Sequence, residues 1–259
     1  MPSVTPKILQ GLVGVQIVVC STMAAGSGTA ERQTIEVEDR SATGSPVAIS
    51  GTVSFWEAVN RDRPAWATAR EDTLTYSHGE NITAKNISSQ PIMAVVLSIK
   101  FSLPHGEMWT HSVQSDYFFK PDLLAPGDKL SIVEPLGDSR SVIPLRSHVT
   151  IEPHVEARVL YAQLADGSGF GDEEYGKKIL SLRQRSWEML HRFDQIYRRQ
   201  GPEQLMEVLR QPLERHDAVH LVPETLLSVA NQSGPAGAEE TIQRKLAAAT
   251  RHQEMIKTR

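Results

Sequence analysis

The sequence predicts a mainly β protein with an α-helical C-terminal region: an immunoglobulin-like antiparallel β-sandwich followed by amphipathic helices. Three observations carry this. Apolar residues alternate with period two through about 33–164, clusters of turn formers separate the runs, and from 172 onward the apolar period lengthens to 3.6.

The first thirty residues read as a signal peptide, with Lys7 as the basic end, the apolar run ILQGLVGVQIVVC at 8–20, and the small-residue stretch STMAAGSGTA at 21–30. The apolar run is shorter than the roughly twenty residues a membrane span needs. The expectation is therefore export to the periplasm or beyond, with an uncleaved N-terminal anchor as the alternative and no stable membrane span after signal removal. Cys20 is the only cysteine. Val19 stands where a lipoprotein signal carries a small residue, which argues against lipidation. Without the signal the chain has no thiol, so neither a disulfide nor a cysteine-ligated metal is available and stability rests on packing.

The strands follow in order. Ile35 and Val37 alternate with polar neighbours, and so do Val47, Ile49, Gly51, Val53 and Phe55. The same spacing recurs in Met93, Val95, Leu97, Ile99 and Phe101, in Leu130 with Ile132, and in Val149, Ile151, Val155, Ala157, Val159 and Tyr161. SATGSP, NISSQP, LPHG and LAPGD punctuate the runs, giving about seven strands and the turn spacing of a sandwich. NRDRPAWATARED at 60–72 fits neither period and reads as a long loop or short helix.

Tyr175, Ile179, Leu182, Leu190, Phe193 and Tyr197 predict a helix opened by Asp172 and ending near Gly201, with Arg183, Arg185, Glu188 and Arg192 on its other faces. Pro202 starts a second helix and Pro212 ends it, a third runs over about 223–230, and NQSGPAG at 231–237 reads as a linker. The final segment, 238–257, carries the thin stripe Ile242, Leu246, Ala249 and Ile256, which is expected to bury little.

Net charge is −4 with no long basic run, so no electrostatic footprint for nucleic acid is present. The charge is uneven, with 12 basic and 19 acidic residues over 31–172 against 14 and 12 over 173–259.

The stretch ADGSGFGDEEYG at 165–176 invites three chemistries. Its glycines are spaced G-x-G-x-G rather than G-x-G-x-x-G, and three acids at the helix start repel phosphate. Phe170 and Lys177 stand where an EF-hand loop needs oxygen ligands. An irregular cation site using Asp166, Asp172 and Glu173 is the weaker reading beside a turn with an acidic helix cap. Among the nine histidines, His148 and His154 share a strand face but lie about 20 Å apart, too far to grip one ion. His105 and His111 flank a glycine-containing turn that can fold them together. No G-x-S-x-G, S-x-x-K or H-E-x-x-H occurs, so no catalytic residue, cofactor or metal ligand is assigned. The sequons at Asn81, Asn86 and Asn231 have a sufficient explanation in strand and turn chemistry. Of Trp56, Trp66, Trp109 and Trp187, Trp66 and Trp109 are taken as candidate contact residues, because tryptophan buries large area and keeps a polar handle. The candidate interaction surface is Trp66, Trp109, His105 and His111.

YAQLADGSGFGD at 161–172, together with NISSQPI and LAPGD, resembles a group of uncharacterised secreted bacterial proteins with an immunoglobulin-like β-domain, over about 81–182. The resemblance implies a fold and a compartment and transfers no activity.

The expected layout is a signal peptide at 1–30, the sandwich at 31–171, and a helical region at 172–259 whose first helix packs on the sandwich and whose last helix is mobile. The expected function is an exported, non-catalytic envelope module that binds an envelope protein or surface polymer. An extracytoplasmic hydrolase, metal-assisted or not, is the alternative, and self-association through the C-terminal helix is a third option.

Overall fold

The structure, a computed structural model, describes residues 31–60, 73–102, 108–144, 152–211 and 221–258; for 31–32, 57–60, 73–76, 134–144 and 221 it describes the backbone alone. The signal-peptide reading and the residues Trp66, His105 and His148 lie outside this set.

Among the described residues eight strands form a curled, mixed sheet. They are β1 (Glu31–Asp39), β2 (Val47–Asn60), β3 (Thr73–Asn86), β4 (Ile92–Ser102), β5 (Met108–Asp116), β6 (Lys129–Pro144), β7 (His154–Leu164) and the short β8 (Gly169–Gly171). The order is β5-β4-β7-β1-β2-β3-β6, with β8 beside β7. The helices that follow among the described residues are α1 (Glu173–Gln200), α2 (Pro202–Arg210) and α3 (Leu221–Lys257). Among the described residues no helix is long and apolar enough to cross a membrane.

The sheet is not purely antiparallel. β1 pairs antiparallel with β2 over its first six residues, from Glu31↔Glu57 to Glu36↔Thr52. Its last three then pair parallel with β7, from Val37↔Val155 to Asp39↔Ala157. A parallel pair needs a long crossover, and here the whole chain between β1 and β7 supplies it. Alternation within one strand does not reveal the direction of its neighbour.

The chain divides into two compact units, Met1–Ser89, Val96–Ser115 and Pro126–Leu160 forming the first, and Gln90–Val95, Asp116–Ala125 and Tyr161–Arg259 the second. In the first unit Val53, Phe55, Ile82, Ala84, Phe101 and Ile132 are buried at 3% exposure or less. β2 lies against β3 in continuous register, and Gly51, at φ +145°, sits where a Cβ would meet the Asn81 carbonyl oxygen at 2.2 Å. At the end of β3 the fully buried Asn86 carbonyl accepts from Gly127 N, and its Oδ1 accepts from Ser88 N and Ser88 Oγ at 2.9 and 2.8 Å. That side chain is spent on its turn, which explains the Asn-Ile-Ser spacing.

The second unit is built on the helices. Asp172 Oδ1 accepts from Glu174 N at 2.9 Å as the α1 cap, and Glu173 and Glu174 lie at the positive end. The buried line of α1 is Gly176, Ile179, Arg183, Ser186, Leu190 and Phe193. It includes Arg183, which the helical wheel placed with the charged faces, whereas Tyr175, Leu182 and Tyr197 are only half-buried. Leu190 and Phe193 join Leu205 and Leu209 of α2 and Leu226, Ala238, Ile242 and Leu246 of α3 in one core.

Two helical expectations change here. NQSGPAG is not an extended linker: helix resumes directly after a break at Gly234 (φ 76°, ψ 173°), where glycine takes the positive φ and Pro235 opens the next stretch. The stripe that follows does not lie idle, since Ala238, Ile242 and Ala249 are fully buried and Leu246 is 8% exposed. Small residues let helices approach closely, so a stripe poor in large side chains still forms an interface.

Candidate functional site

Alternation in β3 and β5 brings two short motifs onto facing sides of the first unit. In β3, His78 and Glu80 are two apart and share the inward side with Ile82 and Ala84, opposite Phe55 and Val53 of β2. In β5, Trp109 and His111 are likewise two apart on the less exposed side of an edge strand, while Met108, Thr110 and Ser112 face out. Phe101 of β4 joins them. Its ring stacks on Trp109 with centroids 4.0 Å apart and planes at 7°, His78 lies 4.7 Å from Trp109, and His111 is 5.5 Å from Phe101. A stacked aromatic pair of this kind contributes about 0.5–1.5 kcal/mol beyond its area burial.

Two of these rings, the imidazoles of His78 and His111, flank a carboxylate. The Glu80 side chain is 1% exposed, its Oε1 lies 3.3 Å from His78 Nε2 and 3.6 Å from His111 Nδ1, and that oxygen has no hydrogen-bond partner among the described residues. Trp109 Nε1 is buried and unpartnered as well. Buried polar atoms in folded proteins are nearly always paired, so two orphans in one cluster mark a site rather than a packing detail. The backbone is irregular at the same place: the β3–β6 register runs His78↔Ser139 and then Glu80↔Glu134, the kind of bulge that re-aims side chains beside functional sites.

Of the four residues the sequence nominated, the structure thus places Trp109 and His111 together, while Trp66 and His105 lie outside the described residues. His78 and Glu80 were missed. Their H-x-E spacing signals one strand face, but only the pairing of distant strands reveals what that face meets.

A second group gathers at the parallel junction. Glu38 of β1 and His154 and Glu156 of β7 present ligand-type atoms within 4.8 Å of one another, the only such group among the described residues. His154 Nε2 is 2.9 Å from Glu156 Oε1 and 3.8 Å from Glu38 Oε2. Arg40 supplies a cation already, with Nη2 2.9 Å from Glu38 and Nε 3.8 Å from Glu156. The hydrogen bond from His154 is the largest influence holding the Glu156 carboxyl below its usual range, and Lys100 and Arg40 add to it.

The glycine-rich stretch is a turn between β7 and α1. Asp166 Oδ1 accepts from Ser168 N and Ser168 Oγ, and Oδ2 accepts from Gln90 Nε2 at 2.9 Å. Gly167 and Gly171 take positive φ, and Asp172 caps the helix. Both oxygens of Asp166 are engaged by protein donors, and Asp172 is engaged by the helix it caps.

No model of a known protein family, no curated protein and no solved structure matches the chain.

Proposed function

We propose that the chain is an exported, non-catalytic binding module of the cell envelope, contacting an envelope protein or surface polymer through the β5 face that carries Trp109 and His111. The observation that carries this reading is the cluster of the Trp109, His111, His78 and Phe101 rings, two of which, the imidazoles, approach the buried Glu80 carboxylate. In such a site the imidazoles lie beside the buried carboxylate while the half-buried indole and the His111 ring, 30% exposed, form the rim a partner touches. Export rests on the sequence pattern of residues 1–30. The immunoglobulin-like sandwich belongs to the same reading, supported by the way β1 changes partner from β2 to β7.

The alternative, an extracytoplasmic hydrolase, is favoured by the approach of two imidazoles to one carboxylate oxygen. Against it, Glu80 is shut away from solvent, and a hydrolytic carboxylate must reach substrate or an activated water.

Immobilised chain 31–259 exposed to crosslinked envelope extract is expected to retain a specific component that Trp109→Ala and His111→Ala each lose. Retention unchanged in both variants would remove β5 from the reading, and turnover of ester, amide or phosphoester probes lost with His111→Ala would favour the hydrolase.

A further inference from the structure

We propose that Lys120, Lys245, Arg244 and Arg251 form a binding site for a phosphate group. The site lies within the second compact unit, uses none of the residues of the β5 face, and stands or falls separately from the binding-module reading.

Local structure brings these cations to one place. The turn after β5 is closed by Lys120 N donating to the Tyr117 carbonyl at 2.9 Å, and Lys120 Nζ stands 4.4 Å from the centre of the Tyr117 ring. The end of α3 is seated on that turn. His252 Nδ1 lies 2.9 Å from the Phe118 carbonyl oxygen, Arg251 Nη1 donates to the Pro121 carbonyl at 3.4 Å, and Ala249 packs with Phe118. Helix residues seven apart share a side, so Arg244 lies on the side of Arg251 and Lys245 on the side of His252. Seating 249–252 on the turn therefore carries Lys245 and Arg244 toward Lys120, close enough that the charges of Lys120 and Arg244 both act on Lys245.

The group lacks a counter-charge. Lys120 and Lys245 are half-buried while Arg244 and Arg251 are exposed, and burial is the largest influence lowering both ammoniums. Gathering like charges where water is partly excluded disfavours the charged forms. Asp116, the acid whose charge reaches Lys120, is already held by Arg183. Among the described residues none of the four cations forms an ion pair with a carboxylate.

An anion relieves this arrangement, and its chemistry follows from the donors. A carboxylate brings one charge, whereas a phosphate monoester brings about 1.5–2 negative charges at neutral pH and three strong acceptor oxygens. Ammonium groups act as point donors and guanidiniums as forks, so a tetrahedral oxyanion engages both kinds at once. The exposed arginines leave the site open to solvent, where a phosphate carried on a larger molecule can reach it.

The test uses chain 31–259 in phosphate-free buffer. In one arm inorganic phosphate is titrated, with chloride holding the ionic strength constant, and amide NMR shifts are followed. In the other, the chain is sedimented with phosphatidylcholine vesicles with and without phosphatidic acid. Saturable shifts at 117–121 and 244–252, or retention that needs phosphatidic acid, are expected, the first result assigning a free phosphate and the second a lipid headgroup. Lys120→Met and Lys245→Met should each weaken binding about tenfold or more, while Lys177→Met, whose ammonium is paired with Glu174, leaves it unchanged. Lys245→Met removes a half-buried charge without a carboxylate partner, so it decides the matter if Lys120→Met fails to fold by circular dichroism. Absence of binding in both arms, shifts that chloride alone reproduces, or binding that Lys245→Met leaves intact overturns the proposal.

Discussion

Arg183 of α1 holds Asp116 in a two-pronged ion pair, Nη2 donating to Oδ1 at 2.8 Å and Nε to Oδ2 at 2.9 Å. Its remaining nitrogen, Nη1, donates to Gln163 Oε1 at 2.6 Å, and the guanidinium lies 4.6 Å from the centre of the Phe118 ring. An arginine 4% exposed within an apolar helix line is tolerable because each nitrogen has an acceptor. Removing one partner leaves a buried charge uncompensated, so Asp116→Ala is expected to destabilise the protein by about 3–5 kcal/mol, measured by urea unfolding. Arg183→Met, which removes the charge and keeps the length, should cost distinctly less.

Lys245 on α3 is in the opposite situation. Burial pushes its ammonium below the usual lysine value, and Lys120 and Arg244 push it the same way. A lysine depressed in the folded state opposes folding while it is charged; the penalty is fully present below the folded pKa and is relieved as pH rises through it toward the unfolded value. Lys245→Met is therefore expected to raise the Tm at neutral pH, with the gain over the parent shrinking as the buffer becomes alkaline. A lower Tm at pH 7 would mean that the ammonium has a partner.

The Glu156 carboxyl is held low chiefly by the hydrogen bond with His154. Its contribution to stability is present above the unfolded carboxylate pKa and fades as pH falls through the lower folded value. In His154→Ala an NMR titration should show the Glu156 midpoint moving up toward the ordinary glutamate range. An unmoved midpoint would assign the effect to Arg40 and Lys100.

Gly51→Ala tests the register of β2 on β3. A Cβ there meets the Asn81 carbonyl oxygen at 2.2 Å, and φ is +145°, so both sterics and backbone conformation oppose the substitution. A loss of about 2 kcal/mol or more is expected by thermal unfolding. Gly44→Ala, with a positive φ but nothing within 4 Å of the added Cβ, should cost less.

What the sequence disclosed follows from which interactions are local. Alternation located β2 and β7, and the period change located α1 with its Asp172 cap, because those signals lie within one element. In β4 the alternating reading was incomplete, since all residues from Ile92 to Ile99 are buried and the chain supplies Ala94, Val96 and Ser98 for the second face. Arg183 looked solvated because Asp116 and Gln163, its partners, lie 67 and 20 residues away. The break at Gly234 and Pro235 was legible, but not that helix continues on both sides. At the candidate site the W-x-H of β5 could be nominated from tryptophan and histidine chemistry. The H-x-E of β3 became visible only once the strands were in place, and so did the Glu38 and His154 contact, which depends on a parallel pairing between the two ends of the sheet sequence.

The most direct measurement of the central claim, that the β3–β5 ring cluster is where this protein meets its partner, is hydrogen exchange on chain 31–259 with and without the envelope fraction it retains. The account predicts slowed exchange at 77–80 and 108–111. Protection confined to the helices of 173–257, with those two segments unchanged, would contradict it.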